Sequence, residues 1–424
     1  SLKNIMLDFI SNNILRNPSM LIGLIAAFGL VLQKKKASDV IKGSLLAAFG
    51  IIIMETGTGM LVSSIAPING AFQSISGGAV TKGLSDVTFT ASYGGIIGLA
   101  MFAGLAIHLM IARFTPIKTI FLTGHMLYWF PFIFVASGVE AGLNGGVLIA
   151  FAAVLSALYW SIMPWLLRKY VFDVIGDDSF TLGHPSGCLA LISGFVAKLV
   201  GNKEKSTEDI NIPQSLSFFR EISISGGMAV FLMFIVVGIV IPGAFKDSNE
   251  FIGTYAIKQG LSFGAGLIIM LHGVRMLINQ IMPAFQGISE KVVPNALPAF
   301  DCPILFNYKP NAVLIGFLVA MLTSTAMILI CNYFNVFNLL LIPLVITSFF
   351  ECGAAAVIGE SQGGIRGAII GTAIAAIFMV VLVGISAVIY SGTIQNWILI
   401  FGGNDLSLFG IISRFIGSLF GGIL

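Results

Sequence analysis

The sequence predicts an all-α polytopic membrane protein of about eleven transmembrane helices, carrying an inverted repeat with two re-entrant hairpins. Three observations support this. Of 424 residues, 57% are hydrophobic and 10% charged, whereas soluble chains run near 45–50% apolar and 25% charged. Apolar stretches near the bilayer-spanning length recur from end to end. The chain also matches itself, with 17 identities in 33 aligned columns, where so biased a composition would give roughly a tenth by chance.

These properties exclude a soluble enzyme and a disordered chain. Net charge is +3 and the longest basic run is Lys34-Lys35-Lys36, so no phosphate-tracking stripe exists and no nucleic-acid partner is expected. A membrane β-barrel would alternate apolar and polar residues, but 21–31 and 228–241 are apolar all round.

Spans are expected near 17–33, 38–61, 94–112, 119–137, 144–166, 224–242, 255–278, 310–332, 334–350, 366–390 and 407–424, all within one membrane domain, 1–424. Repeat one covers about 17–166 and repeat two about 224–390. Three stretches do not read as plain spans: 64–93, 282–306, and 179–200, which opens Thr181-Leu182-Gly183-His184-Pro185-Ser186-Gly187. One water-soluble loop is expected over 201–220, where Lys203, Glu204, Lys205, Glu208 and Asp209 cluster.

Lys34–Lys36, Arg113 with Lys118, Arg168 with Lys169, and Lys203 with Lys205 fall in loops on one side. The positive-inside rule makes that side cytoplasmic, with the N-terminus outside and the C-terminus inside. No signal peptide is expected, so the first helix would direct insertion. Cys188, Cys302, Cys331 and Cys352 form no CxxC pair, and neither a disulfide framework nor a zinc site is expected.

The repeat aligns 41–67 with 257–283. It pairs Ile52-Ile53-Met54, Gly57, Met60-Leu61, Ile65 and Pro67 with Ile268-Ile269-Met270, Gly273, Met276-Leu277, Ile281 and Pro283. After an insertion at 68–70, Ala71-Phe72-Gln73 resumes against Ala284-Phe285-Gln286. The copies are the second and seventh expected spans, an odd offset of five, so they cross in opposite senses, as in transporters that bind substrate at mid-membrane. Segments 64–93 and 282–306 follow the matched helices. They are read as re-entrant hairpins, because irregular backbone at membrane depth must line protein or a wet cavity.

Ionisable groups within spans cost about 2.5–3.5 kcal/mol each on insertion scales, so each needs a partner or a purpose. They are Glu55, His108, His125, Glu140, His184, His272, Arg275, Asp301, Glu351 and Arg366. Asp301 fits either a hairpin-tip cap or a substrate contact. His184 lies in a Gly-His-Pro break, where a helix start can hold an anion. His108 and His272 read as packing or hydrogen-bonding residues. Glu351 fits either a second polar wall of the site or a buried pair with Arg366. No phosphate loop, metal-spaced histidine cluster or nucleophile elbow appears, so no catalytic residue, metal or cofactor is expected.

Gly273-Val274-Arg275-Met276, Ala284-Phe285-Gln286-Gly287-Ile288-Ser289, Asp301-Cys302 and Pro310-Asn311-Ala312-Val313 resemble the membrane (EIIC) component of the ascorbate-type phosphotransferase system. So do Leu122-Thr123-Gly124-His125, Gly183-His184, Ile342-Pro343, and Gly363-Gly364 with Arg366. The resemblance implies eleven spans, a homodimer, a V-shaped scaffold and an elevator-type core in a bacterial inner membrane. It implies uptake of L-ascorbate or a related sugar acid for phosphorylation by a separate EIIB, which EIIA feeds; the chain itself carries no phosphorylated residue. Substrate-binding residues implied are His125, His184, Asp301, Asp86, Thr88, Thr58, Leu344 and Ile346, with Trp129 and Glu351 as further candidates.

Ascorbate proteins of the family carry glutamine where Trp129 and Pro185 stand here, and lack acids at Glu55 and Glu351. A neutral sugar, a polyol or another sugar acid therefore also fits. The competing reading is an ion-coupled secondary transporter using Glu55, Asp301 or Glu351 as its coupling carboxylate.

Overall fold

A computed structural model describes residues 1–15, 17–76, 85–210, 213–216, 221–339, 341–394 and 397–421. In chain order the helices and strands are α1 (Leu2–Ile10), α2 (Pro18–Leu32), α3 (Ala37–Ser76), α4 (Asp86–Phe114), β1 (Thr119–Phe121), α5 (Met126–Glu140), α6 (Gly145–Ile175), β2 (Thr181–Leu182) and α7 (Gly187–Val200). There follow α8 (Ile222–Val240), α9 (Ile252–Lys291), β3 (Leu297–Phe300), α10 (Pro310–Tyr333), α11 (Val345–Ile389), α12 (Trp397–Phe401) and α13 (Asp405–Gly421).

Among the described residues seven helices are long and apolar enough to cross a membrane, or eight if the bent pair ending in α2 forms one span. Eleven were expected from the sequence. The expected span 119–137 is instead β1 followed by the 15-residue helix α5; α7, with 14 residues, falls within 179–200, which was not read as a plain span. The stretch 334–350 is not a single helix; α10 ends at Tyr333 and α11 begins only at Val345.

The repeat copies α3 and α9 are both helices of 40 residues, and they cross each other. Neither Pro67 nor Pro283 ends its helix, so the hairpins do not begin at 64 and 282. A proline deletes one backbone bond, whereas leaving the helix at this depth would strand many. Residues 77–84 of the first expected hairpin lie outside the described residues.

Glycines make the crossing close. A Cβ on Gly57 would fall 2.2 Å from the Met270 nitrogen, and one on Gly273 would fall 2.2 Å from the Met54 nitrogen. A Cβ on Gly50 would lie 2.7 Å from the Leu277 nitrogen, and one on Gly266 would lie 3.1 Å from the Leu61 Cδ2. In the repeat alignment Gly57 equals Gly273, Met54 equals Met270, Gly50 equals Gly266 and Leu61 equals Leu277. Each contact is therefore the image of another when the copies are exchanged. Partner numbers fall along α9 as they rise along α3, so the two helices run antiparallel.

Three short extended segments form a parallel sheet with β3 in the middle. Thr119, Ile120 and Phe121 pair with Leu297, Pro298 and Ala299, and Thr181 and Leu182 pair with Ala299 and Phe300. Parallel pairing brings the C-terminal ends of all three strands to the same edge.

The first part of the expected soluble loop is folded against α10 and α11. Ser206 and Thr207 each donate at 2.8 Å to the Glu360 carboxylate, which Lys309 approaches at 3.6 Å. The α11 backbone leaves helical geometry at Gly363 and Gly364, the latter at φ +65°. There Asn202 N–H donates to Gly363 O, and Ile365 N–H to Lys205 O, each at 2.7 Å.

Candidate functional site

The three strand ends carry the residues that the sequence marked. After β1 comes Leu122-Thr123-Gly124-His125, after β2 comes Gly183-His184-Pro185-Ser186, and after β3 comes Asp301. Leu122 N–H continues the ladder to Ala299 O at 3.0 Å, and Gly183 N–H does so to Phe300 O at 2.8 Å. The Thr123 hydroxyl donates to Gly183 O, tying the two histidine loops together.

Buried polar groups hold the strands in place. Phe121 N–H donates to His108 Nε2 at 3.1 Å, and His108 Nδ1 meets Ser161 Oγ at 2.8 Å. Thr119 Oγ1 donates to Ser161 O at 2.7 Å, and Thr181 Oγ1 to Pro164 O at 2.8 Å. His108 is thus a hydrogen-bonding residue that fixes β1.

At the sheet edge His184 Nε2 lies 3.6 Å from Asp301 Oδ1, and His125 Nε2 lies 3.9 Å from Asp301 Oδ2. Both distances exceed a direct hydrogen bond. Ser186 N–H donates to His184 Nδ1 at 3.1 Å, so Nδ1 is an acceptor and a neutral ring carries its proton on Nε2, toward Asp301. Asp301 Oδ1 accepts from Cys302 N–H at 2.7 Å, which sets the carboxylate as a cap. His125 and Ser186 are the N-caps of α5 and α7, and neither side chain bonds its own helix end. The two histidine loops thus lead straight into α5 and α7, and in the first turn of α7 Cys188 N–H already donates to the Asp405 carboxylate at 2.7 Å.

The cleft at this edge is lined by Thr123, Gly124, His125 and Asp301, with Met54 and Glu55 from α3, and Val274 and Leu277 from α9. Glu55 and Asp301 line this one cleft, and the turn Cys302–Leu305 that Asp301 caps packs on α11, which carries Glu351. His184, Asp301 and Cys302 also offer donor atoms within 4.8 Å of one another. No spacing in the sequence foretold that group, because it joins two distant segments.

Leu344, Ile346 and Glu351 line a neighbouring cavity with Asn69, Thr347, Phe401 and Asn404. Glu351 Oε1 accepts from Asn404 at 3.1 Å, so its partner is Asn404 and not Arg366. Trp129 packs edge-on against Phe401, with centroids 5.7 Å apart, and so stands beside this cavity. Thr58 and Thr88 are not among the residues lining the cleft. Thr88 belongs to the start of α4, where its N–H donates to Ser85 Oγ at 3.1 Å. The side chain of Asp86 lies outside the described residues.

Sequence reasoning missed Asp405. It is fully buried; its carboxylate accepts from the Tyr159 hydroxyl, and from Cys188 N–H at 2.7 Å. Its own N–H donates to Pro185 O at 2.9 Å. The start of α13 thus clamps the His184 loop. The signal was an acid directly after Gly402-Gly403-Asn404, just outside the span drawn from 407.

Residues 13–405 match the family model of the PTS system sugar-specific permease component, EIIC-GAT. The chain belongs to this family. It is a multi-pass membrane protein of the PTS permease type. A curated relative, the ascorbate-specific PTS system EIIC component of Mycoplasma pneumoniae, is 25% identical over 417 residues. That match covers 85% of this chain and 63% of the relative, so the permease chain spans less than two thirds of the relative's length.

Proposed function

We propose that the chain is the membrane subunit of a phosphotransferase permease that binds L-ascorbate or a related sugar acid and moves it inward. A separate EIIB, recharged by EIIA, phosphorylates the substrate at the inner face. The observation that carries this reading is the convergence of His125, His184 and Asp301 at one edge of the parallel sheet. Ascorbate is a hydroxyl-rich monoanion. The imidazole donors meet its charge, and Asp301 accepts from a hydroxyl.

The antiparallel, exchange-symmetric crossing of α3 and α9 supports an inverted repeat and an elevator-type core, with the substrate between the copies. A homodimer on a V-shaped scaffold in the inner membrane, with the N-terminus outside, completes the reading. Loop 201–220 and Arg168 with Lys169 would receive EIIB. Family membership weighs against coupling to an ion gradient.

Binding of labelled L-ascorbate to purified protein tests the site. Asp301→Asn and His184→Ala should each lower affinity at least about tenfold with folding intact. Uptake into vesicles should require phosphoenolpyruvate with EIIA and EIIB; uptake driven by a proton or sodium gradient alone would replace this reading with the ion-coupled one.

A further inference from the structure

Among the described residues, two buried polar atoms of residues lining the cavity beside Glu351 have no hydrogen-bond partner. Glu351 is 7% exposed, and although Oε1 is held by Asn404, Oε2 has no partner. The buried Oδ1 of Asn69, from α3, is likewise unpartnered. Both residues line the same cavity, together with Thr347 and Asn404. A buried polar atom left without a bond costs about 1–3 kcal/mol. Two such atoms on residues that line one space indicate an occupant that hydrogen-bonds. At about 110 Å³ the space far exceeds the roughly 10–15 Å³ that one water needs.

We infer that this cavity is a second subsite, which takes the hydroxyl-bearing side chain of the substrate and in which Glu351 sets specificity. The inference rests on the proposed sugar-acid reading of the first cleft. Hydroxyl is the group that suits the lining: it donates to a carboxylate and accepts from a carboxylic acid, so it satisfies Glu351 in either form, and it pairs with an amide from either end. The placement agrees. Asp301 lies within 4 Å of both His125 and His184, and it caps the turn Cys302–Leu305, which packs on α11, the helix that carries Glu351. A ligand whose anionic ring lies against the histidines then extends its two side-chain hydroxyls past Asp301 toward Glu351. The apolar Leu344 and Ile346 flank the carbon skeleton of that arm.

The test compares L-ascorbate with its 5-deoxy and 6-deoxy analogues, by direct binding to purified wild type, Glu351→Leu and Glu351→Gln. Wild type should bind at least one deoxy analogue about tenfold or more weakly than ascorbate. In Glu351→Leu that ratio should collapse to within about threefold, and Glu351→Gln should restore most of it, since an amide still bonds a hydroxyl. Asn69→Leu, at the same cavity, should reduce the ratio in the same direction and serves if Glu351→Leu does not fold. A wild type indifferent to both hydroxyls, or a ratio preserved in both leucine variants, overturns the subsite and leaves the first cleft standing. Failure of folded wild type to bind ascorbate at all overturns the sugar-acid reading and this inference with it.

Discussion

Gly57 and Met270 touch backbone to backbone: a Cβ on Gly57 would lie 2.2 Å from the Met270 nitrogen, and Gly273 stands in the same relation to Met54. The two contacts are one contact seen from each copy of the repeat. Gly57→Ala and Gly273→Ala should therefore destabilise the protein by similar amounts, about 1–3 kcal/mol each, because the helices must separate to admit a methyl group. Thermal melting in detergent measures both. A large effect in one variant beside none in the other would contradict the symmetry of the crossing.

Ser186 holds His184 through two donors, the backbone N–H at 3.1 Å and Oγ, which lies 2.9 Å from Nδ1. Ser186→Ala removes only the hydroxyl, so the ring keeps its tautomer and loses some restraint. Ligand affinity should fall about three- to tenfold, well short of the loss in His184→Ala. Titration calorimetry on the two variants gives the comparison, and equal losses would assign the serine a larger part than positioning.

Asp405 accepts from Cys188 N–H and from the Tyr159 hydroxyl at the base of the His184 loop. Asp405→Ala strands the Cys188 N–H in a buried site, costing about 1–3 kcal/mol, leaves the Tyr159 hydroxyl only its longer bond to His184 O at 3.3 Å, and frees the loop. Asp405→Asn keeps an acceptor for the Cys188 N–H and should recover much of the stability and the ligand affinity. If the alanine variant melts and binds like wild type, the clamp has no part in the site.

Gly364 adopts φ +65°, and a Cβ there would lie 2.0 Å from Asn202 O. Gly364→Ala combines a strained backbone with a clash and should expel the loop at 202–205 from the break in α11. Trypsin should then cut at Lys203 or Lys205 at least about tenfold faster than in wild type. An unchanged cleavage rate would show that the loop does not depend on this seat.

Local features of the sequence carried much of this molecule. Near-continuous apolar runs mark a chain whose backbone must bond internally in a membrane, and the duplicated segment announced two equivalent helices. His125, His184 and Asp301 stood out as polar groups in segments with few others. Their neighbours Trp129 and Glu351, and the family motifs around Leu344 and Ile346, were also readable.

What the sequence alone determined, then, is the membrane class, the repeat and the three residues at the strand ends, since each rests on composition or short-range pattern. The tertiary structure decided the rest. Strands of two to four residues are too short to show a period, and their pairing joins positions as far apart as 119 and 297. Only that pairing makes the three strand ends meet. Likewise the helices run through Pro67 and Pro283, because the packing of α3 on α9 outweighs one lost hydrogen bond. The separation of Glu351 from the histidine cleft, and its pairing with Asn404 instead of Arg366, follow from where α11 and α13 come together, which no local pattern encodes.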